Sequence, residues 1–129
     1  MSSSSFLRRV LMADGAISAV AGLVMFAGAD PLEALLGVPS ALLRYAGLSL
    51  FPWVAYVLFV ATRDRIVRAS VWSVIALNAV WVIASVLLIV DGPIAPNAFG
   101  YAFILTQALA VAVLADLEYV GLRRISIAA

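Results

Sequence analysis

The sequence predicts an all-α integral membrane protein whose four transmembrane helices form an antiparallel up-down bundle. Of the 129 residues, 66% are hydrophobic and 12% are charged, and the mean hydropathy is +1.16. Soluble domains are about half apolar and about a quarter charged. A short chain has too small an interior to bury this excess of apolar surface. We therefore expect a single transmembrane domain, residues 1–129, that lies in a lipid bilayer.

Four apolar stretches are long enough to cross the hydrocarbon core, which takes about 20 helical residues. They cover about residues 10–28, 41–61, 66–90 and 98–120. Asp14 interrupts the first stretch, which favours a retained helix over a cleaved signal peptide. The serine run before it, Ser2–Ser5, is expected to be a disordered tail.

A short interfacial helix is predicted between the first two transmembrane helices. Asp30 and Glu33 have the spacing of an N-cap and a capping box, with Pro31 at the first helical position. Gly37 suits a C-terminal cap. The pattern predicts a helix over 31–36.

Charge in the connections predicts the orientation in the membrane. Seven of the eight basic residues precede the first helix, surround the turn between the second and third, or follow the fourth: Arg8, Arg9, Arg63, Arg65, Arg68, Arg123 and Arg124. The other two connections hold Asp30, Glu33 and Asp91 and no basic residue. By the positive-inside rule both termini are expected on the cytoplasmic side.

The composition also excludes several chemistries. The sequence has no cysteine and no histidine, so thiolate nucleophiles, disulfides and imidazole-ligated metals are excluded. A net charge of +1 supplies no field for nucleic acid. We expect no catalytic residue, cofactor or metal. The expected partners are the lipid bilayer and either further copies of the chain or a larger membrane complex.

Polar residues inside the membrane are costly and therefore become functional candidates. We single out Asp14, Asn78, Gln107 and Arg44. Asp14 is either a proton- or cation-coupling carboxylate that faces the interior, or a structural partner of Arg65, Arg68 or an arginine of the N-terminal tail; the second interpretation is favoured.

For the other candidates, structural roles are also favoured. Asn78 shares a helix face with Trp81 and Ser85, and is predicted to hydrogen-bond Gln107 on the next helix. Substrate contact is the alternative for this pair.

Arg44 either binds a substrate carboxylate or phosphate, or pairs with Asp30 or Glu33. Asp116 and Glu118 differ by two positions and are expected on different faces, in a solvated cluster with the last two arginines. Gly15, Ala19 and Gly22 form a stripe typical of close helix packing.

The length, the topology and features such as Leu-Leu-Arg-Tyr-Ala-Gly-Leu at 42–48 resemble uncharacterised four-helix inner-membrane proteins of bacteria. The resemblance implies a location in the bacterial inner membrane. Small multidrug-resistance transporters are similar in length and helix number and also carry an acid in the first helix. Asp14, however, lies near the predicted cytoplasmic end of its helix.

Three functions remain open. The leading expectation is a non-enzymatic structural or accessory component of a membrane complex, because deep charge and reactive side chains are scarce. The alternative is an oligomeric transporter or channel for ions or small molecules. Four helices are expected to enclose little room, so a pore or pocket would need several copies. A membrane enzyme acting on a lipid or isoprenoid is the second alternative.

Overall fold

The computed structural model describes residues 3–92 and 94–128, although the side chains of 3, 4 and 126–128 are not described. Five helices account for nearly all of these residues: α1 Ser3–Ala27, α2 Ala29–Leu36, α3 Ser40–Thr62, α4 Arg68–Asp91 and α5 Ala98–Ala128. Four of them are long and apolar enough to cross a membrane. The predicted fold class is confirmed, including the short helix between the first two transmembrane helices.

The observed helices are longer than predicted at the two ends of the chain. Helix α1 begins at Ser3, so the predicted disordered tail is wrong for Ser3–Ser5, and Ser2 lies outside the described residues. Helix α5 continues to Ala128, past the predicted end near residue 120. An apolar stretch marks the part of a helix that lies in lipid, whereas the helix itself continues into water wherever its backbone bonds can form.

All the arginines except Arg44 gather at one end of the bundle, which we call the arginine end. Arg8 donates hydrogen bonds to the carbonyls of Ala61 and Arg63, the latter at 2.7 Å, at the C-terminus of α3. Arg68 donates to the carbonyl of Leu122 on α5. Cations are favourable at helix C-termini because the last carbonyls lack partners within the helix. The opposite end, which we call the acidic end, carries Asp30, Glu33 and Asp91.

The helices pack in the spatial order α3, α1, α5, α4, which differs from the chain order. Helix α1 packs along both α3 and α5, and α5 packs along α4. Helices α3 and α4 are neighbours in sequence but touch at few points, one of which is the 2.6 Å hydrogen bond between the hydroxyls of Tyr56 and Ser73. The short loops of an up-down bundle predict that helices adjacent in sequence also pack side by side. For α3 and α4 this prediction is wrong, and a gap separates them.

The predicted packing seam on α1 is confirmed. Gly22 lies against α3, where a Cβ would stand 3.0 Å from the Leu50 side chain and 3.1 Å from the Gly47 carbonyl. On the other side of the seam, a Cβ on Gly47 would lie 2.7 Å from the backbone nitrogen of Phe26. The two backbones approach this closely because neither helix carries a side chain there.

We expect Gly47→Ala to lower the free energy of unfolding by about 2 kcal/mol, because the obstructing atoms are backbone and the helices must move apart. At a helical position with open space around it, replacing glycine by alanine would instead raise the free energy of unfolding by up to about 1 kcal/mol. The sign of the measured change therefore distinguishes a close helix contact from open space. Unfolding in mixed micelles measures it. Leu48→Ala, at a half-exposed neighbour, is the control. A stabilised Gly47→Ala variant would contradict the close approach.

Helix α2 closes the acidic end of the bundle. Gly37 ends it with φ 71°, which confirms the predicted glycine cap. The predicted capping box is wrong: α2 begins one residue before Asp30, and no side chain caps it. The side chain of Glu33 instead accepts a hydrogen bond from the backbone N–H of Ser40, at the start of α3, over 3.1 Å.

Asn97 ties α2 to α5. Its side-chain oxygen accepts a 2.9 Å hydrogen bond from the backbone N–H of Gly100 and so caps α5. Its side-chain nitrogen donates to the carbonyl of Leu35 over 2.8 Å. Its backbone N–H donates to the carbonyl of Leu36 over 3.1 Å. The last carbonyls of α2 are thereby satisfied by the start of α5.

Candidate functional site

Three polar side chains meet between α1, α4 and α5, and we call them the acid–amide cluster. The side-chain nitrogen of Asn78 donates one hydrogen bond to Asp14 Oδ2 over 2.9 Å and a second to Glu118 Oε1 over 3.0 Å. Asp14 Oδ1 also accepts a 3.3 Å hydrogen bond from the hydroxyl of Ser18, one turn further along α1. One amide group therefore holds two carboxyl groups from different helices.

The acid–amide cluster is buried inside the bundle. Asp14 is 1% exposed, Asn78 4% and Glu118 0%. Apolar side chains, among them Leu11, Val74 and Leu122, separate it from the arginine end. Buried polar atoms in proteins nearly always have a hydrogen-bond partner. Glu118 Oε2 is the exception among the side chains that the structure describes, because it is buried and has none.

The favoured interpretation of Asp14 is wrong. Its carboxyl accepts hydrogen bonds from Ser18 and Asn78, and the ion pair expected with an arginine is not formed between the described side chains. The alternative placement of Asp14, facing the bundle interior, is what the structure shows. An arginine is not required because the Asn78 amide supplies the donor.

The placement predicted for Glu118 is also wrong. It was expected in a solvated cluster with the last two arginines, but it is buried beside Asn78. Asp116 is exposed, so the expectation that the two acids lie on different faces is confirmed. The helical period carries the signal that identifies Glu118: it follows Gln107 by eleven positions and Leu114 by four, so the three share one face of α5.

Gln107 belongs to a second polar network nearer the acidic end. Its side-chain oxygen accepts a hydrogen bond from the indole of Trp81 over 2.5 Å, and its nitrogen donates to the hydroxyl of Ser85 over 2.9 Å. The same nitrogen donates to the Ile104 carbonyl. The predicted hydrogen bond between Asn78 and Gln107 is therefore wrong: both amides bond across helices, but to other partners.

A cavity of about 370 Å³, the central cavity, lies beside the acid–amide cluster. All four long helices line it, mostly with apolar side chains, and Asn78 and Gln107 are among its few polar residues. A second cavity of about 250 Å³ adjoins it toward the acidic end and shares Trp81, Ala84 and Gln107. The expectation that a pocket needs several copies of the chain is wrong, because one chain forms both.

The gap between α3 and α4 gives the central cavity a side that faces the membrane. Leu50 and Trp53 of α3 line one edge, and Leu77 and Ala84 of α4 line the other. These two helices touch at few points, so no packed helix seam closes the cavity between them.

Asn78 connects the central cavity to the two carboxyl groups. Both protons of its side-chain nitrogen are used by Asp14 and Glu118. Its Oδ1 accepts no hydrogen bond from a described residue. Asn78 lines the central cavity, and Oδ1 is the atom of its amide group that can accept a further hydrogen bond in this mostly apolar wall.

Arg44 lies apart from this site, at the acidic end. Its guanidinium pairs with Asp30 over 3.1 Å, and both side chains are exposed. The predicted ion pair with an acid of the preceding loop is confirmed. An exposed pair contributes about 0–1 kcal/mol, so its main effect is to orient α2 on α3.

The described residues contain no group of three or more acids that could hold a metal ion. No family model, curated protein or solved structure matches this chain. The features that bear on its function are therefore the acid–amide cluster and the cavity beside it.

Proposed function

We propose that this protein binds an apolar small molecule, taken from the bilayer, in its central cavity, as a non-enzymatic carrier. The observation that carries the proposal is the cavity of about 370 Å³ between all four long helices, with Asn78 in its wall. Ligand sites in proteins are mostly apolar cavities of about 300–1,000 Å³ with a few convergent polar groups.

The chemistry of the wall specifies the ligand further. The Trp81 indole N–H donates to the Gln107 side-chain oxygen, so neither group requires a hydrogen bond from the ligand. Asn78 Oδ1 can only accept. We therefore propose a largely apolar ligand with one hydrogen-bond donor, placed to reach Asn78. An ion or a sugar would lose its hydration without replacement in such a wall.

The carrier acts in the bacterial inner membrane with both termini on the cytoplasmic side, as the distribution of arginines favours. The acid–amide cluster then lies in the cytoplasmic half of the bilayer, and α2 covers the outer end. The role as an accessory component of a complex, expected from composition, stays a prediction. The presence of a cavity within a single chain favours the carrier function over the accessory role.

A matched pair of fluorescent probes tests the proposal. Carbazole and dibenzofuran have nearly the same shape, but only carbazole has an N–H donor. We expect carbazole to bind the protein in lipid nanodiscs about fivefold more tightly, because one well-placed hydrogen bond contributes about 1 kcal/mol. Equal affinities would contradict the role of Asn78 Oδ1.

Filling the cavity should abolish binding. We expect Ala84→Phe to weaken carbazole binding at least tenfold, because Ala84 lines both cavities and a phenyl group there occupies the space of the probe. Val86→Phe, on an exposed position of the same helix, is the control and should bind normally. Unchanged binding to a folded Ala84→Phe variant would place the probe elsewhere and overturn the proposed site.

A further inference from the structure

We infer that the acid–amide cluster is a proton-binding site, and that Asn78 transmits its protonation state to the ligand in the central cavity. The second half of this inference rests on the proposed function; the first half stands on the cluster alone.

The need for a proton follows from the unpartnered oxygen. Glu118 Oε2 is fully buried and accepts no hydrogen bond. Asp14 Oδ2 and Glu118 Oε1 accept hydrogen bonds from the same Asn78 nitrogen, at 2.9 and 3.0 Å, so the two carboxyl groups lie close together. Two unprotonated carboxylates have acceptors only and repel each other, whereas a proton between them turns one oxygen into a donor for the other. A proton is therefore the group that completes the cluster.

The other charged and titratable groups around the cluster are engaged elsewhere or exposed. On α1, Arg8 binds carbonyls at the end of α3. On α3, Tyr56 bonds Ser73, and on α4, Arg68 donates to the Leu122 carbonyl. On α5, Asp116 is exposed. The negative charge that stays on the singly protonated pair is thus stabilised by the hydrogen-bond donors of Asn78 and Ser18.

The Asn78 amide couples the acid pair to the cavity because its nitrogen donates hydrogen bonds whereas its oxygen accepts them. While the pair carries negative charge, charge-assisted hydrogen bonds hold the nitrogen toward it and leave the oxygen facing the cavity. When the pair takes up a further proton, that charge is lost and a new hydroxyl donor needs an acceptor. The amide oxygen then turns toward the carboxyls, and the nitrogen faces the cavity.

The sign of the pH dependence follows from this rotation. At higher pH the cavity wall offers an acceptor, which suits a donor ligand. At lower pH it offers a donor, which suits an acceptor ligand. The ratio of carbazole affinity to dibenzofuran affinity should therefore fall as pH is lowered, by about tenfold, a typical size for coupling between two sites. Use of the ratio cancels general effects of pH on the bilayer.

The test measures both affinities in nanodiscs across mildly alkaline to mildly acidic pH, with the full chain and two variants. The double variant Asp14→Asn/Glu118→Gln removes both ionisable groups of the cluster, and in it the ratio should no longer change with pH. Asp116→Asn removes an exposed carboxyl two residues from Glu118 and should respond like the parent protein. A ratio that is constant in the parent protein, or that still changes in the double variant, overturns the coupling.

Infrared difference spectroscopy tests the proton site without a ligand. The parent protein should show the carbonyl band of a buried protonated carboxyl, and Glu118→Gln and Asp14→Asn should each remove or shift it while Asp116→Asn leaves it in place. Loss of probe binding at every pH with this band present would reject the carrier function and the coupling, and would uphold the proton site. Absence of the band in the folded parent protein would reject the proton site.

Discussion

Replacement of Asn78 by leucine should lower the free energy of unfolding by about 3 kcal/mol or more. Both carboxyl groups of the cluster lose their amide donor at once, and neither can reach water from its buried position. Each buried polar group left without a partner costs about 1–3 kcal/mol, and more if it is charged. Denaturant titration in mixed micelles, followed by circular dichroism, measures the loss.

The control is Leu77→Ala, one residue earlier and half exposed. It removes apolar volume from the same helix without touching the cluster, and it should have a small effect. The cost of Asn78→Leu should also shrink when Asp14 and Glu118 are both replaced by leucine, because no donor is then needed. An Asn78→Leu variant as stable as the parent protein would show that the amide does not hold the two acids.

Gly100→Ala should lower the free energy of unfolding by about 2–3 kcal/mol. A Cβ at this position would lie 2.2 Å from the carbonyl oxygen of Leu36, at the end of α2, and 2.6 Å from Pro96 Cβ. The carbonyl oxygen is held by the backbone N–H of Asn97, so it cannot move without breaking that bond. The substitution therefore separates α2 from α5.

Hydrogen exchange locates the damage from Gly100→Ala. Protection should fall in α2 and in the first turn of α5, while the amides around Asp14 keep theirs. Phe99→Ala, at an exposed neighbour, should leave α2 protected. Normal protection of α2 in the Gly100→Ala variant would contradict the close contact between the two helices.

Hydropathy predicted the four transmembrane helices because lipid demands long runs of apolar residues with their backbone bonds satisfied inside each helix. The short helix α2 was predicted from proline and glycine chemistry at its ends, and the glycine cap at Gly37 proved more informative than the acids before it. What the pattern could not supply was the packing order. In lipid every long helix is apolar on all sides, so hydropathy does not say which faces meet.

Two of the three residues of the acid–amide cluster were identified from the sequence, and the third, Glu118, was not. Asp14 and Asn78 were identified because each interrupts an apolar run. Glu118 was assigned to water because it lies close to Asp116 and to Arg123. Position along a helix gives depth only, whereas burial also depends on which face is turned inward. Glu118 faces α1 and α4, which removes it from water at a depth where Asp116 stays exposed.

The distance along the chain between Asp14 and its amide donor has a consequence for biogenesis. The two residues are 64 positions apart, so the ribosome delivers α1 and α3 to the membrane well before α4 carries Asn78 there. During that interval the insertion machinery must shelter a carboxyl group that has no finished pocket. A nascent chain arrested after α3 should consequently stay bound to the insertase or be degraded by membrane quality-control proteases, and release should coincide with the synthesis of α4.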